Sequence, residues 1–115
     1  MRKDDLIRMW HMLDAAEEAL SFVKNKARSD LDADRMLVLS IVKLVEMIGE
    51  AASKVTKECR DNHQEIPWSS MVAMRNRLIH VYYDIDLDRV WDTITDDLPA
   101  LVTALRKIVP PEERS

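Results

Sequence analysis

A heptad-like seam in the middle of the chain limits the possible folds more than any other feature. Its apolar residues recur at steps of four, three, four, three and four, which is the spacing of a long helix that packs almost antiparallel to its neighbours in a bundle. They are Leu37, Ile41, Leu44, Ile48, Ala51 and Val55. Val38, Val42 and Val45 flank the seam and broaden the predicted buried face. Because the chain has a single Gly and is rich in helix-forming residues, we predict an all-α, antiparallel four-helix-type bundle.

Three other helical segments complete the predicted bundle. The first carries apolar residues at steps of three and four, namely Leu6, Met9, Leu13, Ala16, Leu20 and Val23. The long second helix is predicted to start at residues 29–32, where the acidic side chains suit a helix N-terminus. A polar linker at 61–67 leads to a third helix from near Trp68, and residues 84–88 form a turn and the start of the fourth. Its stripe is Val90, Ile94, Leu98, Leu101, Leu105 and Ile108, and Pro99 should kink this helix or break it at Leu98.

Length and composition restrict the class of protein. A chain of 115 residues suits one domain, residues 1–115, with a polar tail from about 110. One cysteine allows no internal disulfide, which fits the reducing cytoplasm where we expect the protein. Neither a secretory leader nor a membrane-spanning apolar run is recognisable. The net charge of −4 argues against nonspecific coating of nucleic acid, but it permits one local phosphate site.

The stretch from Arg75 to Tyr82, RNRLIHVY, gathers the side chains best suited to chemistry. It lies in the longest run without an acidic residue, between Glu65 and Asp84. Arginine can clamp a phosphate with two hydrogen bonds, and histidine can transfer a proton near neutral pH. Such a segment could bind a phosphodiester and activate a hydroxyl group beside it.

Treated as one helix, this segment has an apolar strip between two polar lines. The predicted core-facing stripe is Met71, Met74, Leu78 and Val81. The polar lines are Arg75 with Tyr82 and Asn76 with His80, and the strip between them is Val72 with Ile79. A second copy of the chain could cover the strip. We therefore predict that it lies at or near a homodimer seam, which would bring two sets of polar groups into one cleft.

The long second helix offers weaker candidates. Gly49 should let another helix approach closely, and Glu50 is a candidate partner for Arg75 or Arg77. Glu46 and Glu50 are four residues apart, as carboxylate metal ligands can be, but the Glu-x-x-His pairs of di-metal bundles are missing, so we predict no metal.

Residues 74–86, MRNRLIHVYYDID, resemble the R-x4-6-H signature of the HEPN superfamily, in the R-x4-H-x-Y form of HepT-like toxins. Residues 48–52 (IGEAA) and 67–68 (PW) resemble the same group, and 90–91 and 97–99 are similar as well. The resemblance runs from about Leu6 to Ile108. Val81 stands where the group often has glycine. Since Val81 falls on the predicted core stripe, we expect altered packing there and intact chemistry.

The resemblance implies a HEPN-like homodimer that acts as a metal-independent endoribonuclease, without a cofactor. It makes Arg75 and His80 catalytic residues in a cleft at the dimer interface, with Asn76 in support. It also implies a toxin-antitoxin pair, in which a nucleotidyltransferase (MNT) antitoxin transfers AMP to the motif tyrosine. That tyrosine is Tyr82, with the adjacent Tyr83 as the alternative.

A metal-free mechanism follows from these residue types. His80 could accept the proton of the RNA 2′-hydroxyl, and Arg75 could stabilise the charge that develops on the phosphorus oxygens. Asn76 could orient the imidazole or donate to the phosphate. The products would be a 2′,3′-cyclic phosphate and a 5′-hydroxyl, and flexible single-stranded RNA would be the better substrate. One alternative is a noncatalytic helical module that binds nucleotide or RNA and partners a nucleotidyltransferase; a purely structural helical dimer is another.

Overall fold

The computed structural model describes residues 1–81 and 84–110, except the side chains of Arg75, His80 and Val81. The helices in this part are α1 (Lys3–Phe22), α2 (Arg28–Ala33), α3 (Arg35–Ser53), α4 (Lys57–Asn62), α5 (Trp68–Leu78), α6 (Leu87–Asp92) and α7 (Leu98–Ile108). A π-helical segment, Thr93–Asp97, joins α6 to α7. Two short strands, β1 (Ile79–Val81) and β2 (Asp84–Ile85), pair antiparallel. The predicted all-α class is confirmed. In the same residues, no helix combines the length and the apolarity needed to cross a bilayer.

The predicted seam forms the centre of the core. All six of its residues are buried, as are the three flanking valines, and α3 packs against α1 on one side and α5 on the other. On α1, the predicted face is also correct: Met9, Leu13 and Ala16 are buried, and the remaining members pack partly against the core. Burial of this broad apolar face is the main force that holds the three helices together.

The predicted start of the long helix was wrong by several residues. Residues 28–33 form the separate helix α2, and α3 begins only at Arg35. The break lies at Asp34, whose backbone is extended at φ −126° and ψ 92°. Its side chain accepts a hydrogen bond from the backbone N–H of Leu37 at 3.0 Å. This capping bond satisfies a donor of the first turn of α3 and so fixes the helix start there.

The predicted polar linker contains an unpredicted helix, α4, and its cap is tied to α1. Thr56 caps α4 by accepting from the backbone N–H of Cys59. Asp5, which is only 2% exposed, accepts from the Thr56 N–H at 2.9 Å and from its hydroxyl at 2.6 Å. Burial alone would raise the pKa of Asp5, but these bonds, helped by two nearby arginines, hold that pKa below its usual value. The buried carboxylate therefore stays charged and joins α1 to the start of α4.

Pro99 was predicted to kink the last helix or break it at Leu98, and the helix instead continues through a π-helical turn at residues 93–97. The N–H of Leu98 donates to the carbonyl of Thr93, five residues earlier, while the backbone keeps helical dihedrals. Proline lacks an N–H and crowds the preceding turn, and the wider turn accommodates it without ending the helix. As a result the predicted apolar stripe continues from α6 into α7, with Val90, Leu98 and Leu105 completely buried.

Candidate functional site

Gly49 of α3 sets the position of the helix that carries Arg75. A Cβ at this position would lie 3.0 Å from the carbonyl oxygen of Met71 and 3.4 Å from that of Val72. The backbones of α3 and α5 are therefore nearly in contact, one turn before Arg75. The predicted close approach of another helix at Gly49 is confirmed.

The buried side of α5 anchors the same helix. Met71, Met74 and Leu78 are buried, as the stripe predicted. Trp68 at the start of α5 is buried as well, and its indole N–H donates to the carbonyl of His63 at 3.0 Å. Arg75 directly follows the buried Met74, so its backbone belongs to a helix that is fixed along its length by packing.

The end of α5 differs from the prediction. The helix stops at Leu78, and Ile79 adopts the extended dihedrals φ −123° and ψ 116°. His80 therefore lies in strand β1, so the predicted helical line joining Asn76 to His80 was wrong. The reason is local: β-branched and aromatic residues fill positions 79 and 81–83, and they prefer extended backbone.

The same change removes the predicted helical strip. Val72 is 43% exposed, as a docking residue should be, but Ile79 is half-buried and packs on the core. The line predicted to join Arg75 and Tyr82 ends on Tyr82, which, like Tyr83, lies outside the described residues. Of the strip, Val72 alone remains as an exposed apolar side chain.

A cavity of about 290 Å³ opens where α5 ends and α6 begins. Its walls are formed by Asn76, Arg77, Ile79, Asp86 and Arg89. Asn76 directly follows Arg75 and Ile79 directly precedes His80, so the cavity adjoins both motif positions. Two arginines against one aspartate give it a local charge of +1, whereas the whole chain carries −4. This arrangement favours an anion.

Sequence reasoning missed Asp86 and Arg89 in this cavity. Both belong to the start of α6, which the chain reversal brings beside the end of α5. The N–H of Asp86 donates to the carbonyl of Leu78 at 2.6 Å, and its side chain accepts from the N–H of Arg89 at 3.1 Å. The signal available in the sequence was the short connection between α5 and α6, because a short connection keeps the end of one helix close to the start of the next.

Arg77 and Glu50, which the sequence suggested as a possible pair, each have another partner. Arg77 donates to the carbonyl of Ser70 at 3.1 Å, and Glu50 lies 3.2 Å from the ammonium group of Lys54. The suggested pair of Glu50 with Arg77 is therefore wrong. The other suggested pair, Glu50 with Arg75, involves a side chain that lies outside the described part of the structure. Glu50 lines a larger cavity, of about 730 Å³, between α1 and α3.

The larger cavity is less suitable as the reaction site. Its net charge is also +1, from Arg8, Lys43 and Lys54 against Glu46 and Glu50, but both lysines are paired with these glutamates. None of its residues belongs to the segment from Arg75 to His80. In the described part of the chain, no group of three His, Cys, Asp or Glu side chains could hold a metal ion. Burial raises the pKa of the Cys59 thiol, and the charge of Asp5 adds to this effect, so the thiol is a poor nucleophile.

Comparison with known proteins identifies the class to which this fold and site belong. The family model described as ribonuclease HepT-like matches residues 12–108, which include the second half of α1 and every later element through α7. The chain belongs to the HepT-like ribonuclease family, as the resemblance predicted.

Three relatives illustrate the match. A protein of Caldanaerobacter subterraneus subsp. tengcongensis named "Putative RNase" is 32% identical over 103 residues, covering 90% of this chain and 92% of its own. A "Probable ribonuclease HepT" of Thermococcus cleftensis is 30% identical over 95 residues, covering 83% and 86%. A "Gamma-glutamylcyclotransferase and putative RNase" of Methanocaldococcus jannaschii is 32% identical over 109 residues, and this chain, at 95% coverage, spans only 49% of its length. No solved structure matches significantly.

Proposed function

We propose that this protein is a metal-independent endoribonuclease and the toxin of a toxin-antitoxin pair. The observation that carries the proposal is the family match over residues 12–108, since that range contains Arg75 and His80 in the motif spacing. The positively charged cavity that adjoins both positions supports it, because an RNA backbone needs a cationic surface.

The proposed reaction uses the nucleophile that RNA itself provides. His80 accepts the proton of a 2′-hydroxyl, whose oxygen attacks the adjacent phosphorus. Arg75 stabilises the added negative charge, and the bond to the 5′-oxygen breaks. That oxygen takes a proton from a general acid and leaves as a 5′-hydroxyl, while the other fragment ends in a 2′,3′-cyclic phosphate. Since the attacking oxygen belongs to the substrate, no metal-bound water is required.

The general acid in this scheme is a second His80, contributed by a second copy of the chain. Val72 lies beside Gly49 on an exposed part of α5. This apolar side chain suits a contact with an identical subunit. A homodimer formed there would bring two motifs together.

Regulation is proposed to act on Tyr82, or on Tyr83 as the alternative. A nucleotidyltransferase antitoxin would let the tyrosine oxygen attack the α-phosphorus of ATP, releasing pyrophosphate and one proton. The attached phosphate would place negative charge close to the cationic residues that bind RNA, and the adenosine would fill space there. Inhibition would then need no change of fold.

Cleavage of single-stranded RNA by the purified protein tests the proposal. We expect cyclic phosphate ends, and we expect cleavage to continue in excess chelator. His80→Ala and Arg75→Ala should each lower the rate by about two orders of magnitude or more. His11→Ala is the matched control, because His11 is an exposed histidine of α1 away from the motif. Full activity in His80→Ala would refute the role of His80, and RNA binding without any cleavage would favour the noncatalytic alternative.

A further inference from the structure

Arg89 lines the cavity at the end of α5 but lies outside the motif. It stands in the first turn of α6, where its backbone N–H is bound by the side chain of Asp86 and its carbonyl accepts from the hydroxyl of Thr93 at 2.8 Å. Both bonds use backbone atoms of Arg89. They fix the origin of the side chain without occupying its guanidinium group.

Unlike Arg28 and Arg106, Arg89 has no hydrogen-bond or ion-pair partner for its guanidinium among the described residues. Arg28 binds Asp32 and Asp88, and Arg106 binds Glu17. Arg89 is exposed and lines the 290 Å³ cavity beside the motif. An unpaired guanidinium at the edge of a cavity can offer its full set of donors to a phosphate.

Other cavity residues strengthen the affinity for an anion. Asn76 contributes an amide from α5, and Arg77 contributes a second positive charge, although that guanidinium also donates to Ser70. Asp86 opposes them with one negative charge, but its carboxylate is engaged with the Arg89 N–H. Since the cavity keeps a charge of +1, an anionic group is attracted to it.

We propose that Arg89, with Asn76 and Arg77, forms a phosphate subsite for single-stranded RNA that holds a backbone phosphate neighbouring the one that is cut. The choice of RNA as the ligand of this subsite rests on the proposed function. The position of the subsite follows from chain connectivity, because Asn76 adjoins Arg75 and Ile79 adjoins His80. A strand whose scissile phosphate meets the motif would therefore pass its next phosphate through this cavity.

Binding of a short 2′-O-methyl oligonucleotide tests the subsite without requiring cleavage, since this RNA lacks the attacking hydroxyl. By fluorescence titration, Arg89→Ala should bind about tenfold more weakly at low salt. Between about 50 and 200 mM salt, the slope of log affinity against log salt should fall by about 0.7, which is one phosphate contact of a single strand. Arg89→Lys should restore most of the slope, because the charge returns.

Lys107→Ala is the matched control, since it removes the same charge from an exposed site of α7. The helical path from residue 89 to residue 107 is roughly 27 Å long at 1.5 Å per residue. An equal loss of affinity in Lys107→Ala would show that the net charge of the protein alone explains the effect, and it would overturn the subsite. Unchanged affinity and slope in Arg89→Ala would also overturn it.

Cleavage kinetics then locate the phosphate that Arg89 holds. In Arg89→Ala, the KM for a short single-stranded RNA should rise about tenfold with a much smaller change in kcat, because a ground-state contact has been lost. A dinucleoside monophosphate, which carries only the scissile phosphate, should show a smaller loss of kcat/KM. Equal losses on both substrates would place Arg89 at the scissile phosphate and contradict the subsite. If the wild-type protein cleaves no RNA, the proposed function fails, while the titration still decides the subsite.

Discussion

Replacing Gly49 by alanine tests how closely α3 and α5 approach beside the motif. The new Cβ would lie 3.0 Å from the carbonyl oxygen of Met71, whereas ordinary contacts of this kind are 3.4–4 Å. The obstructing atom belongs to a helical backbone, so it cannot rotate away as a side chain can. The two helices must separate by a few tenths of an ångström or strain their hydrogen bonds.

Two opposing effects determine the change in stability. Alanine favours the helix over glycine by about 1 kcal/mol, because it restricts the unfolded chain more. Overpacking a tight contact costs about 1–3 kcal/mol. Their sum predicts that Gly49→Ala lowers the free energy of unfolding by about 1 kcal/mol, and that the larger Gly49→Val lowers it further. In a domain of this size, 1 kcal/mol corresponds to a fall of about 4 °C in Tm.

Chemical and thermal unfolding would measure these changes, with Ser40→Ala as the control. Ser40 lies in the same helix, and its hydroxyl donates only to the carbonyl of Met36, so its removal should change stability by less than about 0.5 kcal/mol. A more stable Gly49→Ala would show that helix propensity outweighs packing, and the inferred close contact would then be wrong. Because α5 carries Arg75, the destabilised variant should also cleave RNA more slowly.

Three further predictions concern charge, association and modification. The pKa of Asp5 is lowered in the folded protein, so the stabilisation by its carboxylate is complete above the unfolded pKa near 4 and declines as the pH falls through the folded value. Asp5→Asn should therefore lower the free energy of unfolding by about 2 kcal/mol at pH 6 and by less at pH 3. An equal loss at both pH values would refute the charged bond to Thr56. Val72→Glu should shift the sedimenting species from dimer to monomer, and a wild-type protein that is already monomeric would contradict the shared cleft. Protein produced with a nucleotidyltransferase partner should gain the mass of one or more AMP groups on a peptide containing Tyr82, and continued modification of Tyr82→Phe would direct attention to Tyr83.

The periodic parts of the fold could be predicted from the sequence, because burial follows spacing directly. The seam on α3 and the core stripe of α5 up to Leu78 are correct for this reason. Helix ends were harder to predict, since they depend on single capping groups. Asp34 divides the predicted second helix, and Thr56 starts a helix inside the predicted linker. The buried carboxylate of Asp5 left no periodic signal at all, because its partner is 51 positions away.

At the candidate site, too, some features could be predicted from the sequence and others could not. Family resemblance identified the motif, but the helical angle predicted its geometry wrongly from Ile79 onward. The cause was a competition between the register of α5 and the extended preference of the segment that follows it. Arg89 was missed because cavity residues from a second helix have no periodic relation to the motif.

Asp86 explains why the end of α5 and the start of α6 are held together. Its backbone N–H satisfies the carbonyl of Leu78, one of the acceptors that every helix C-terminus leaves without an internal partner. Its side chain satisfies the N–H of Arg89, one of the donors left over at the next helix N-terminus. One residue thus serves both helix ends, and the gap between them is the cavity lined by Arg77 and Arg89. The strand that contains His80 begins at the same junction, so the bonds of Asp86 fix the distance between the motif and Arg89.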